Sequence, residues 1–452
     1  MNRQIVPSFL RFHIRTCFKI CKRSFSTPAT LTPAESRLFG QPTPKTHPHL
    51  MKPGEITPGI SAIEYELRRT TLMNKLPENS VAISLGYRTR YMSNKVFYPF
   101  HQNTDFFYLC GFNEPDAAIV LGTLLDDRND TRRGYKMTMF VPPKNRSVEM
   151  WDGPRTGVLG AAMESARFNS KIKEIIKNYK EVYIDLPPRT NILSTDNVQK
   201  NISRTHVKPL SKLIQDLRII KSDSEIALMK KAGEITGNAF IQTMKFTKPG
   251  ILEHDLYAKM DFECRMRGAP FLADYDLVLM DAGGEYHGYA SDVTRTWPVN
   301  GKFTAAQREL YEVVLNINRH CINLCTEARD ISLNGIHEVS VQIMKEELQK
   351  LGFNIVEGDV DHILYPHHVG HYLGLDVHDT HDLDRSRRLL HGMVITIEPG
   401  IYVPPNDAYP KKYHGIGIRI EDNVLVGRTD PIVLSSIAPK EIVDIEYCIE
   451  NS

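Results

Sequence analysis

The chain has 452 residues, enough for two or three domains with substantial cores. Hydrophobic residues make up 41% and charged residues 24%, as in an ordinary soluble globular protein, and a formal charge of +2 gives no reason to invoke nucleic acid. Seven scattered cysteines indicate neither a disulfide framework nor a thiolate zinc site, since Cys321 and Cys325 lie one helical turn apart with no second pair.

The N-terminus is unlike the rest. Residues 1–25 hold Arg3, Arg11, Arg15, Lys19, Lys22 and Arg23, and no acid occurs before Glu35, so the remainder carries −4. Leu10, Ile14, Phe18 and Cys21 recur at helical spacing, with basic residues on the neighbouring face. Those charges interrupt every apolar stretch, which argues against a secretory core and a membrane span. An Arg-rich, acid-free amphipathic start is the composition of a mitochondrial presequence, assigned to 1–25. No other segment approaches the ~18–20 apolar residues of a spanning helix, so no transmembrane segment is expected.

Residues 26–60 are rich in proline and threonine and form an extended arm. From 61 to 217 helical and strand patterns mix. "EYELRRTTLMNKL" is helical in composition. "SVAISL", "DAAIVLG", "KMTMFV" and "EVYIDL" are short apolar strands, "SKIKEIIKNYK" is a further helix, and "DDRNDTRRG" is a hairpin loop. The pattern predicts an α/β N-terminal domain.

A second domain, 218–452, opens on a helix capped at Ser222 or Asp223, with Ile226, Met229, Ala232 and Ala239 on one face. "EHDLYAKMDFECRM" follows as a helix ending at Gly268. Strand "YDLVLMD" pairs as a hairpin with "ASDVTRTWPV", helices cover about 304–328 and 334–351, and late strands run through "GMVITIEPGIYV" and "YHGIGIRIEDNVLV". Helices first and strands late predict an α+β domain with a mainly antiparallel sheet.

Four acids share an unusual address in this domain. Asp281, Asp292, Glu398 and Glu421 each stand at the edge of an apolar or β-branched strand run, where acids are depleted. "HHVGHYLGLDVHD" adds His367, His368, His371 and His378 in a Gly-rich loop. If their strands are neighbours, the carboxylates raise one another's pKa unless cations neutralise them. Two divalent ions would balance four negative charges. Oxygen-rich ligation with one imidazole favours manganese, iron or cobalt over a thiolate- or histidine-dominated zinc site. Paired metals activate water and polarise a carbonyl, the equipment of a hydrolase.

These segments carry a resemblance. "DAGGEYHGYASDVTRTWPVNGKFT", "HHVGHYLGLDVHD", "ITIEPGIYV" and "GIGIRIEDN" resemble the motifs of aminopeptidase P, among the creatinase/prolidase "pita-bread" metallopeptidases. "QPTPKTHPHLMKPGEITPGIS", "FHQNTDFFYLCGFNEPDA" and "WDGPRTG" resemble its N-terminal domain, so the likeness covers roughly residues 40 to 447. It implies a pita-bread catalytic domain with two divalent ions, Mn2+ favoured. Asp281 would chelate one ion, Asp292 and Glu421 would bridge both, and His371 with Glu398 would hold the second. Glu398 would also accept the proton of the bridging water. His378 and Arg419 would stabilise charge on the attacked carbonyl, and His367 would line the leaving-group pocket. His368 has no implied role and is expected to face solvent. Asp376 is expected to partner a ligand without being one.

The resemblance implies an aminopeptidase that removes the N-terminal residue of peptides or proteins in mitochondria, either before proline or as a second trim after presequence removal. Its substrates would come from the import and processing machinery, and a homo-oligomer is compatible with the family. "RSFS" at 23–26 resembles a two-step processing site, which places the mature start at Ser26. One departure stands out: after "RMRGAPFLA" the family continues with a hairpin-sized segment that ends near a substrate-binding histidine, whereas here Ala273 runs straight into "DYDLVLMD". Two alternatives stay open. One is a prolidase-like dipeptidase; the other is a catalytically impaired isoform that acts as a non-enzymatic binding protein.

Overall fold

The computed structural model describes residues 40–93, 96–123, 134–158, 163–185, 206–269 and 279–451. The presequence, the Ser26 start, residues 26–39 of the Pro-rich arm, nearly all of "DDRNDTRRG" and the Ala273–Asp274 junction lie outside the described residues.

The arm leads into a small hairpin, β1 (Glu55–Thr57) with β2 (Ile60–Ser61), and then helix α1 (Ala62–Asn74), capped by the Ser61 side chain. Strand β3 (Ser80–Leu85) is followed by an exposed hairpin, β4 (Tyr91–Ser93) with β5 (Val96–Phe97), and by helix α2 (Thr104–Cys110). Strands β6 (Ala118–Gly122) and β7 (Lys136–Val141), helix α3 (Arg146–Asp152), strand β8 (Met163–Glu164), helix α4 (Phe168–Ile176), and strands β9 (Glu181–Ile184) and β10 (His206–Lys208) complete this half. The six longer-range strands form one mixed sheet in the order β10-β9-β3-β6-β7-β8. The predicted runs "SVAISL" and "KMTMFV" are β3 and β7 in full, and "DAAIVLG" and "EVYIDL" contain β6 and β9.

Both faces of this sheet are covered. Val81, Ile83, Val120 and Val182 meet Phe168 and Ile172 of α4, with Phe140 edge-on to Phe168 at 5.1 Å. On the other face Ala82, Ile119 and Leu121 pack on Leu72 of α1 and Phe106 and Leu109 of α2, and this core continues into Leu228, Met229, Tyr289, Leu373 and Leu375. The two halves of the chain therefore share apolar core.

Helix α5 (Ser211–Arg218) leads to the long helix α6 (Asp223–Phe246), whose N-cap is Ser222 in a full capping box with Glu225. Helix α7 (Glu253–Met266) follows, and then the hairpin of β11 (Leu279–Ala282) with β12 (Val293–Thr296). The hairpin turns at His287 and Gly288, both at positive φ, between the bridged Tyr286 and Tyr289. Helices α8 (Ala305–Leu324) and α9 (Leu333–Lys350) come next, and a single π-helical turn at Val360–Leu364 feeds the histidine loop.

The late strands depart from expectation in one respect. "VITIEPGIYV" is two strands, β13 (Val394–Ile397) and β14 (Gly400–Tyr402), and "GIGIRIEDNVLV" is likewise β15 (Gly417–Arg419) and β16 (Asp422–Leu425), with β17 (Ile432–Val433) beside β16. β13 pairs with β16 and β14 with β15, all antiparallel. The ladder is interrupted on both strand runs at once, at Glu398-Pro399 and Ile420-Glu421, where proline cannot donate to it. Helix α10 (Ile442–Glu450) closes the chain. Among the described residues no helix is long and apolar enough to cross a membrane.

Candidate metal centre

The two ladder interruptions bring the acids together. β13 and β16 leave off at Ile397 opposite Asp422, and β14 and β15 resume at Gly400 opposite Arg419, so Glu398 and Glu421 face the same gap. The hairpin supplies the other two: Asp281 pairs with Thr294 across β11–β12, and Asp292 immediately precedes β12. The Glu421 amide donates to the Thr294 carbonyl at 3.0 Å, which fixes the hairpin against the interrupted strands. His371 arrives from the Gly-rich loop, which runs beside β13 through Tyr372 bridging Ile395. Gly370 makes that approach possible, since a Cβ there would collide with the Thr396 carbonyl.

Asp292, His371 and Glu421 are buried, and their ligating atoms lie within 4.8 Å of one another. His371 Nε2 is 3.3 Å from Asp292 Oδ2 and 3.6 Å from Glu398 Oε1. Its Nδ1 lies 3.0 Å from the Tyr372 carbonyl, which fixes the proton there and turns the Nε2 lone pair toward the carboxylates. Two further oxygens, Asp281 Oδ1 and Glu421 Oε1, are buried without a hydrogen-bond partner.

Such orphaned carboxylate oxygens are costly unless a cation or proton meets them. Burial and the neighbouring Asp292 push Asp281 up to about 8, although Arg419 opposes the shift. Burial with Asp292, Glu398 and Asp281 drives Glu421 well above the usual carboxylate range, and burial with Asp292 also raises Glu398. For His371 burial disfavours the charged ring, but the carboxylates of Asp292 and Glu398 outweigh it and raise its pKa. Like charges concentrated this way fit a divalent-cation site, and the donor set, four carboxylates and one imidazole, suits a hard or borderline cation.

Around the ligands runs a shell that the strand pattern does not reveal. Thr294 Oγ1 donates to Glu421 Oε2 at 2.7 Å and accepts from Arg419 Nε at 3.0 Å. Thr396 Oγ1 donates to Glu398 Oε1 at 3.3 Å and accepts from the His371 amide at 3.0 Å. Arg419 Nη2 donates to Asp281 Oδ2 at 2.6 Å and Nη1 to the Tyr402 hydroxyl at 3.2 Å, while His367 Nε2 lies 3.0 Å from that same hydroxyl. Behind them the fully buried Arg295 pairs with Asp422 at 2.8 Å and reaches the Glu421 carbonyl.

The remaining sequence candidates are placed as follows. His378 is exposed, and its ring stands edge-on to His371 with centroids 4.5 Å apart. Burial lowers the pKa of His378, and burial brings His367 down to about 4, so both rings are neutral at pH 7. The expectation for His368 is corrected. It does not face solvent: half-buried, it stacks on His337 at 4.5 Å, lies 3.0 Å from the Gly370 carbonyl and 3.1 Å from Asn334 Oδ1, and is held down at about 4 by burial. Asp376 is not among the clustered ligands and bonds none of them; it pairs with Arg218 and Thr104 instead.

A carboxylate-dominated cation site at the junction of two antiparallel ladders defines a metallohydrolase. Residues 268–428 match the model of metallopeptidase family M24, and residues 65–183 match that of the aminopeptidase P N-terminal domain. The chain belongs to this family of pita-bread metallopeptidases. It is 42% identical to Xaa-Pro aminopeptidase 3 of Homo sapiens across 91% of this chain and 90% of the relative. It is 38% identical to "Intermediate cleaving peptidase 55, mitochondrial" of Arabidopsis thaliana, across 92% and 88%. The crystal structure of Icp55 from Saccharomyces cerevisiae superposes with a TM-score of 0.78 at 36% identity, covering 88% of this chain and 99% of that one. The alignment with the human relative runs over 463 positions, more than the 452 residues present here, so that relative carries residues with no counterpart in this chain.

Proposed function

We infer that the chain is a metal-dependent aminopeptidase that removes the N-terminal residue from peptides and proteins and acts in mitochondria. The observation that carries this reading is the buried Asp292, His371 and Glu421, whose ligating atoms lie within 4.8 Å of one another, together with the orphaned carboxylate oxygens of Asp281 and Glu421. Asp281 would hold one cation, Asp292 and Glu421 would be shared, and His371 with Glu398 would hold the second; Mn2+ would suit such ligands. When bound, such cations acidify a water and polarise a carbonyl. Glu398 would take a proton from the attacking water as its oxygen bonds the carbonyl carbon, and would return it to the amine nitrogen as the C–N bond breaks. Arg419, fixed by Tyr402 and Thr294, and the neutral His378 stabilise charge on the attacked carbonyl. His367, anchored on the Tyr402 hydroxyl, lines the leaving-group side.

The residue removed precedes proline or is a bulky residue left after presequence cleavage, and substrates come from the import and processing machinery. The domain limits 61–217 and 218–452 and a homo-oligomeric state belong to the same reading. The test uses metal-loaded protein on matched Xaa-Pro and Xaa-Ser peptides. Release of the first residue, faster from Xaa-Pro, is expected. Cleavage of dipeptides alone would favour the prolidase-like alternative, and no release at full cation occupancy would leave only the binding-protein alternative.

A further inference from the structure

The loop that carries His371 and His378 is tied down away from the clustered ligands. Arg218, the last residue of α5, has a side chain only 4% exposed. Its Nη1 donates to Asp105 Oδ1 at 2.6 Å and to Thr104 Oγ1 at 3.1 Å, both on α2 of the N-terminal half. Its Nη2 donates to Asp376 Oδ2 at 2.7 Å and also to Asp379 Oδ1. Lys221 Nζ, itself buried, takes the other Asp379 oxygen at 3.1 Å. Thr104 Oγ1 closes the set by donating to Asp376 at 2.8 Å.

One guanidinium thus grips both carboxylates that bracket Val377-His378 and hangs them from a helix of the other half. The loop's own backbone bonds support this grip: the Asp379 amide donates to the Tyr372 carbonyl at 2.9 Å and the Gly374 amide to the Asp376 carbonyl at 3.1 Å. Gly374 lets the loop fold onto the Asp379 carboxylate, which a Cβ would strike at 2.5 Å. The planar fork of arginine suits this task, because it presents parallel donors to different carboxylates at once; a lysine presents a single point charge. His378, exposed and standing edge-on to His371, takes its orientation from this loop.

We propose that Arg218 is a positioning residue for His378, holding the 376–379 loop by its two flanking aspartates against Asp105 so that the imidazole faces the reacting carbonyl. This rests on the aminopeptidase reading, in which His378 stabilises charge on that carbonyl.

The test is a double-mutant cycle on the full chain with Mn2+, with R218Q and D376N made alone and in an H378A background. Asp376 has a side chain 39% exposed, so D376N serves where R218Q fails to fold. Each variant is expected to lower kcat by roughly 10- to 100-fold, with KM and bound manganese unchanged. Neither should lower it further once His378 is absent. R218K should recover only part of the loss. Hydrogen exchange of amides 372–380 should quicken in D376N, while that of 394–397 stays the same. The proposal is overturned if the variants cost the same factor with and without His378, or if the loop exchanges no faster. The exchange arm needs no turnover. A wild-type chain that binds manganese and releases no residue would instead sink the aminopeptidase reading.

Discussion

At the scale of single residues, the four acids and His371 were legible because each breaks a rule of its surroundings. An acid that closes an apolar strand run is unfavourable unless something neutralises it, and the raised pKa values of Asp281, Glu398 and Glu421 express that conflict in the fold. Tyr402, Thr294 and Thr396 break no rule: tyrosine and threonine are ordinary strand residues, and nothing local tells a hydroxyl that touches a ligand from one that faces solvent. Arg218 escaped for the same reason, since an arginine at a helix C-terminus satisfies the macrodipole without further cause. Tyr402 now supports a prediction. Y402F keeps the ring's packing but removes the hydroxyl between Arg419 and His367. It should lower kcat/KM several-fold, about 1 kcal/mol, and leave metal content unchanged by elemental analysis. An unaltered kcat/KM would show that Arg419 needs no such support.

At the scale of elements, the periodicity placed most helices and strands but could not show where a strand changes partner. "GIGIRIEDNVLV" reads as one strand-like run, yet pairs with β14 up to Arg419 and with β13 from Asp422. An apolar run records that a strand is buried, and the partner is a tertiary fact. The Gly-rich loop was legible only as irregular, although Arg218 and Lys221 hold its acids. Burial works against the charged form of Asp379, but Lys221 and Arg218 outweigh burial and hold its carboxyl below the usual range. A carboxylate depressed in the folded state contributes stability above its unfolded pKa, about 3.9, and that stability is lost as pH falls through the lower folded value. D379N leaves two buried cations short of a partner and should cost about 3 kcal/mol near neutral pH. The deficit relative to the wild type should shrink on acidification below about pH 4. Melting temperatures of both proteins from pH 7 to 2.5 check this; a deficit that grows on acidification would contradict it.

For the whole molecule, the shared core and the buried Arg68–Glu225 pair at 3.3 Å, with Tyr289 donating to Glu225 at 2.8 Å, join the two halves into a single support for the site. The sequence pattern separated the halves by texture and could not show this joint, because its members lie far apart along the chain. Two predictions belong here. Residues 23–26 put the mature start at Ser26, and N-terminal sequencing of the protein from mitochondria checks it; a start at Met1 would contradict the presequence. The resemblance implies that the direct join of Ala273 to Asp274 lacks a hairpin-sized segment, and among the described residues β11 pairs only with β12. An unpaired edge and a missing hydrogen-bonding side chain should lower turnover about a hundredfold or more. Restoring a family-like hairpin after Ala273 should recover it, and equal rates would show the segment to be dispensable.

The central claim is that these acids and His371 form a site for two divalent cations, and cation stoichiometry tests it most directly. Metal-free protein dialysed against Mn2+ at neutral pH should take up two ions per chain, as should H368A. D292A and E421A should each lose tight binding, because in the proposed site each would be a ligand to both ions. A wild-type chain that binds no manganese, or a D292A variant that keeps two tightly held ions, would contradict the account.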